Sequence, residues 1–401
     1  MSLVSGGFEG QTDRDTGGGT GADTGGDTGW DDDAVRALWS LDREVLHLNH
    51  GSYGAVPRET RERQDQLREE AERNPIDWFR RLPARVAQAR TTLAEFCGVT
   101  GDGAALVPNV SAGITAVLAS LPLKDGQEIV FTDHAYGAVR LAIERAAGSG
   151  ARPVHLPLTA RNDEIVDLIA GAIDDRTALV VIDQITSATA AALPVREIVD
   201  ACHARGVPVL VDGAHAPGML AEPARGHDAD FWVGNLHKWP CAPRGTAVLA
   251  VAPQWRELMR PLVASWSEHR GFPLSFDQAG TLDLTGWLAA PVSLEVLNRL
   301  DIDRLRRHNE RLADYGQRVF CAELGVEVPD QASPAPSMRI VPLPPAVTDA
   351  AAFGSRIAAE CRCEIPVTFF ADRTFLRMSA HAYNRPSDYE TAARAIAGLL
   401  M

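Results

Sequence analysis

Between residues 128 and 252, short apolar runs recur with helical segments between most of them, and this alternation limits the chain to few architectures. The runs are EIVFTD (128–133), ARPVHLPL (151–158), TALVVIDQ (177–184), VPVLVD (207–212), DFWVGN (230–235) and TAVLAVA (246–252). Strands that are apolar throughout, rather than alternating, are covered on both faces, and intervening helices such as EIVDLIAGAI supply the cover. The expectation is an α/β fold built on a large, mostly parallel sheet. A chain of 401 residues with 45% hydrophobic content can bury such a core and a second, smaller one.

Around this block the pattern changes. RETRERQDQLREEAER reads as a charged helix and PARVAQARTTLAEFCGV as an amphipathic one. After Leu282 come two long helical stretches, then apolar runs at SMRIVPL, EIPVTFF and TFLRMSA mixed with helices at 348–361 and 386–400. We therefore expect a large domain over 58–282 and a smaller α+β domain from 283–401, joined by residues 34–57. Residues 1–33, rich in Gly, Asp and Thr, read as a disordered tail. The net charge of −14 argues against nucleic acid or an anionic membrane as partner. With no basic segment leading an apolar run and no stretch of membrane-span length, a cytoplasmic location is expected. The six cysteines have no metal-ligand spacing and read as reduced, structural thiols.

In an open α/β sheet, ligands bind beyond the carboxyl ends of the strands. Several polar residues fall there. VPNVSAG precedes a helix, so backbone N–H groups near Ser111, Ala112 and Gly113 can cradle a phosphate. FTDHAYGA places His134 and Tyr136 after one strand, and IDQITSAT places Asp183, Gln184 and Thr186 after another. VDGAHAPGML puts Asp212 at the end of a third, and in DFWVGNLHKWP Lys238 follows the next. A cofactor with an aldehyde, a phosphate and a protonatable ring nitrogen needs a lysine, a helix N-terminus and a carboxylate. That cofactor is pyridoxal 5′-phosphate (PLP).

From about Leu48 onward the chain resembles the class V aminotransferase family of fold-type I PLP enzymes, and within it the isopenicillin N epimerase-like branch. LNHGSYG, TDHAYGA, VDGAHAPG, the GNLHKW stretch with its CAP and GTA, AGTLDLTGW and LRMSAHAYN match in order. The branch includes C–S lyases of sulfur-containing natural products, which implies a place in secondary metabolism such as antibiotic biosynthesis.

The resemblance implies that Lys238 forms the Schiff base and moves the α-proton. It places Asp212 on the pyridine nitrogen, His215 and Gln184 near the phenolic oxygen, and His134 against the ring face, close to the chemistry. Ser111, Ala112, Asn235 and His237 become phosphate ligands, with Thr281 reaching in from the second subunit of a homodimer. Arg377 grips the substrate carboxylate, and Asn49, Ser52 and Tyr136 lie on the substrate side. Gln184 stands where the epimerases more often carry His, ITSATAAALP lacks a Gly of their loop, and KWPCAPRGTA departs from them around the lysine.

The expected reaction breaks the Cα–H bond of an amino acid. β-Elimination from a cysteine S-conjugate asks for the fewest special residues, since Lys238 alone suffices as base. An epimerase needs a second acid, for which Cys241, Tyr136 or a water on His134 are candidates. The same residues are compatible with an aminotransferase, an oxidative decarboxylating deaminase of a cysteine conjugate, or a catalytically dead cofactor-binding protein. A cysteine desulfurase needs a mobile cysteine, and Cys363 stands at the edge of a strand instead.

Overall fold

Within each apolar run, alternate residues turn to opposite faces of one sheet and build two separate cores. The computed structural model describes residues 30–278 and 280–401. In chain order its strands are β1 (Leu46–His47), β2 (Ala104–Val107), β3 (Glu128–Thr132), β4 (Ala151–Val154), β5 (Thr177–Asp183), β6 (Val209–Asp212), β7 (Phe231–Asn235), β8 (Ala247–Val251), β9 (Met338–Pro342), β10 (Cys363–Glu364), β11 (Val367–Phe370) and β12 (Arg373–Ser379). The helices are α1 (Asp32–Arg36), α2 (Arg58–Arg73), α3 (Pro75–Phe96), α4 (Val110–Ser120), α5 (Gly137–Ala147), α6 (Asn162–Gly171), α7 (Val195–His203), α8 (Thr285–Arg299), α9 (Ile302–Leu324), α10 (Ala350–Cys361) and α11 (Pro386–Leu400).

The large sheet has the order β2-β8-β7-β6-β5-β3-β4. Strands β3 to β7 pair in parallel, and β8 runs antiparallel to both β7 and β2. Val180, Ile182, Val209, Val211 and Trp232 face one core, shared with Val86 and Leu93 of α3. Leu179, Val181, Leu210, Phe231 and Val233 face the other, shared with Ile114 and Val117 of α4. The sheet is thus covered on both faces, as the unbroken apolar runs require.

A second, three-stranded antiparallel sheet, β11-β12-β9, packs against α9, α10 and α11. The segment before α2 is tied to it. β1 pairs in parallel with β10, and the Ser379 N–H donates to the Leu48 carbonyl at 2.8 Å.

Three sequence-based boundaries move. Residues 1–29 of the expected tail lie outside the described residues, but Asp31 caps α1, whose Val35 is buried, so order begins before residue 34. Helix α8 belongs with the large sheet rather than the small domain, because Trp287, Ala290 and Leu294 pack into the core under α3. Helix α3 starts at Pro75, capped by the Asn74 side chain, and passes through Pro83 instead of starting there. No helix of the described residues is long and apolar enough to cross a membrane.

Candidate active site

The carboxyl ends of β5, β6 and β7, the N-terminus of α4, the loop at 51–53 and Arg377 on β12 converge on one cavity of about 330 Å³. Ser52, Ser111, Tyr136, Asp212, His215, Asn235, His237, Lys238 and Arg377 line it. Each strand end delivers its polar residue where the parallel ladder stops and the chain must turn.

Lys238 is half-buried. Its Nζ donates to His215 Nε2 at 3.0 Å. Burial, with the nearby Arg377 guanidinium, lowers the lysine to about 7, against the opposing pull of Asp212 and Asp183. His215 is pushed well below the usual imidazole range by burial and by Lys238, so it is neutral and accepts that bond. Asp212 is 4% exposed, and its Oδ1 accepts the Ala214 N–H at 2.9 Å. Burial raises it to about 6.

At the start of α4 the Asn109 side chain acts as N-cap, accepting the Ala112 N–H at 2.9 Å. The Val110 N–H donates to Asn235 Oδ1 at 3.0 Å, which pins that amide beside the helix end. His237 donates from Nδ1 to the Thr246 carbonyl at 3.2 Å, and burial lowers it to about 4. At this helix N-terminus Ser111 and the Asn235 amide NH2 can donate to an anion, while His237, its one proton on Nδ1, donates from Nε2 only when protonated.

Arg377 is 4% exposed, and among the described residues it has no carboxylate partner. Nη1 donates to the Ser187 carbonyl at 2.7 Å and Nη2 to Ser52 Oγ at 2.9 Å, while Nε is buried without an acceptor. Burial lowers it to about 10, so it stays charged. A buried, unpaired guanidinium opening on a cavity is costly unless an anion completes it.

Four sequence-based assignments do not fit this geometry. His134 does not line the cavity: Nε2 donates to the Leu156 carbonyl at 2.9 Å, Nδ1 accepts from the Thr189 hydroxyl at 2.8 Å, and the ring lies against Phe370. Tyr136 and Tyr53 are the tyrosines that line the cavity among the described residues. Gln184 also turns away, its amide spent on the Pro223 carbonyl and the Trp232 indole at 2.8 Å each. Ala112 has its N–H engaged by Asn109, and half-buried Asn49 is not a lining residue. Thr281, expected to serve a second subunit, is exposed and does not line its own chain's cavity.

Conversely, Ser187 and Tyr53 line the cavity although the sequence did not single them out, and Asp183, placed at a strand end without an assigned role, lines it too. Strand periodicity is the signal that finds Asp183, since it pairs in register with Asp212 on the neighbouring parallel strand.

Behind Lys238 lies a buried cluster of His50, Cys241 and His381 whose ligand-type atoms fall within 4.8 Å of one another. It is not arranged for a metal. His50 Nε2 stands 3.1 Å from the Lys238 carbonyl, which can only accept, so that nitrogen carries the proton and has no free lone pair. Nδ1 accepts from Tyr383 at 2.8 Å. His50 therefore clamps the main chain that carries the lysine.

A half-buried lysine, a strand-end aspartate and a helix N-terminus around one cavity of this sheet define the PLP enzymes of fold type I. The unpaired Arg377 and the capped α4 terminus fit a ligand with both a carboxylate and a phosphate. A family model described as Aminotransferase class-V matches residues 59–388. Isopenicillin N epimerase of Streptomyces clavuligerus is 32% identical over 393 residues, which cover 92% of this chain and 98% of that protein. A probable chloroplastic L-cysteine desulfhydrase of Arabidopsis thaliana is 26% identical, covering 90% of this chain and 84% of its own. Among solved structures, C-DES with glycine covalently linked to its PLP cofactor is similar at a TM-score of 0.78 and 19% identity, over 90% of this chain and 98% of that one. The chain belongs to the class V aminotransferase family and is a PLP-dependent enzyme.

Proposed function

We propose that this enzyme removes the α-proton of a cysteine S-conjugate and expels the β-thiolate, a C–S lyase reaction. The carrying observation is that Lys238 is, among the described residues, the single amine lining the cavity and is lowered to about 7, so a large fraction is a free base at neutral pH. Bound PLP supplies the sink for the electron pair left when the Cα–H bond breaks. Arg377 binds the substrate carboxylate as a fork and so orients the α-hydrogen toward Lys238 Nζ. Lys238 takes the proton, the Cβ–S bond breaks with its electrons on sulfur, and the thiolate leaves. The remaining three-carbon fragment yields pyruvate and ammonia with water. Asp212 keeps a negative charge for the ring nitrogen, His215 holds Lys238, and Ser111, Asn235 and His237 hold the phosphate.

Among the described residues no cysteine lines the cavity, which disfavours desulfuration. Cys363 is buried in β10, paired with Leu46, and burial pushes its thiol far up. A second reading, epimerisation, is favoured by the 32% identity to an isopenicillin N epimerase over nearly the whole chain and by the Tyr136 hydroxyl as a second acid.

Incubation with a panel of cysteine S-conjugates and with isopenicillin N in heavy water separates the two. Pyruvate and free thiol from a conjugate are expected. Intact substrate carrying one α-deuterium with inverted configuration, and no pyruvate, would overturn elimination in favour of epimerisation.

A further inference from the structure

Asp183 is the buried titratable group at the cavity that the reaction above leaves unused. It ends β5 as Asp212 ends β6, and the two are paired in register on adjacent parallel strands. Both are almost fully buried, at 3% and 4% exposure. Two carboxylates packed at neighbouring strand ends cannot both ionise without a large cost, and in such a pair one holds a proton.

We propose that Asp183 is a neutral carboxylic acid positioned beside Asp212, so that the pair carries one negative charge and presents it from Asp212. The inference rests on the PLP reading, because the recipient of that charge is the cofactor's ring nitrogen.

The local bonding decides which member keeps the proton. Asp212 accepts a main-chain N–H from Ala214 at 2.9 Å, a good bond to an anion. Asp183 has only the Thr132 hydroxyl on β3, at 3.5 Å from its Oδ2, and its own N–H. Lys238 lies on the same side of the sheet and interacts with both, but its other neighbours, His215 and Arg377, offer no negative charge. Burial and then Asp212 push Asp183 well above the usual carboxylate range, while Thr132 and Lys238 pull weakly the other way. Asp183 is thus a positioning residue. Its neutrality fixes the ionised form of Asp212, and its loss of a proton at high pH adds a second negative charge near the ring nitrogen and Lys238.

Infrared difference spectroscopy between the natural protein and Asp183→Asn, at pH 7, reads the proton directly. A protonated-carboxyl band present in the natural protein and missing in the variant is expected. Its absence from the natural protein would overturn the proposal. In the holoenzyme the variant mimics the neutral acid, so its visible spectrum at pH 7 should be unchanged. On alkaline titration the midpoint of the Lys238–cofactor linkage should agree between the two proteins, since a neutral acid and its amide isostere carry the same charge. A midpoint lower by about one unit or more in the variant would show that Asp183 is ionised and contradict the proposal. Failure of both proteins to take up PLP would instead defeat the cofactor reading, and the infrared band of the PLP-free protein would still decide the state of Asp183.

Discussion

At the scale of single residues, the site works through groups whose ordinary charge state is costly where they sit. Lys238 is lowered to about 7 because its amine is withdrawn from water beside a second cation, and Arg377 remains charged because guanidinium is too basic to do otherwise. In the proposed reaction the two basic residues therefore divide the labour, one as base and one as anchor. Exchanging Arg377 for Lys keeps a charge but removes the planar fork that spans Ser187, Ser52 and an incoming carboxylate. The Arg377→Lys enzyme should show a KM for its amino acid raised about 10- to 100-fold, with the PLP absorption spectrum unchanged. A KM within twofold of the natural enzyme would remove Arg377 from substrate binding.

At the scale of elements, the lysine is placed by close backbone contact as much as by its own side chain. The Gly54 N–H donates to the His237 carbonyl at 3.0 Å, and a Cβ at Gly54 would stand 2.2 Å from the Lys238 carbonyl oxygen. Since that neighbour is main chain, Gly54→Ala must push the lysine segment away. Thermal unfolding should register a loss of about 1–3 kcal/mol, and PLP occupancy should fall with it. Full stability with full occupancy would show that the segment yields freely. The strands of the central sheet were legible because buried β-branched runs announce themselves. β2 was not, since AALV is short and half alanine, with little β-propensity to mark it. The aspartate and the lysine were legible because they end or follow such runs. Gln184 was misplaced because one step along a strand reverses the face: Asp183 looks into the cavity and Gln184 into the Pro223 and Trp232 side. His134 and Ala112 were misplaced because their hydrogen-bond partners, Leu156, Thr189 and Asn109, come from folding and not from spacing.

At the scale of the molecule, two cores sandwich the large sheet and a third joins β9, β12 and α9 to the segment that carries Leu48. We propose a homodimer in which Thr281 serves the partner's site. It stands with exposed Leu282 in a region that also exposes Val263, whose Cγ1 would lie 3.7 Å from a Cβ at the neighbouring Gly280. Acid should unfold the PLP-free protein. Burial lowers His50, His134, His215, His227, His237, His308 and His381, so below about 6.5 the unfolded chain binds protons that the folded one refuses. Stability is then lost as pH falls, at roughly 1.4 kcal/mol per group and pH unit. The raised Asp183, Asp212 and Asp277 act in the opposite sense, but they are three against seven. The denaturant midpoint at pH 5 should lie below that at pH 7; a higher midpoint would reverse the balance. The central claim, that Lys238 carries the cofactor, is tested most directly by borohydride reduction of the holoenzyme followed by peptide mass mapping. One pyridoxyl group per chain on the peptide containing Lys238 is the expected result, and a label on Lys124 or no label at all would contradict it.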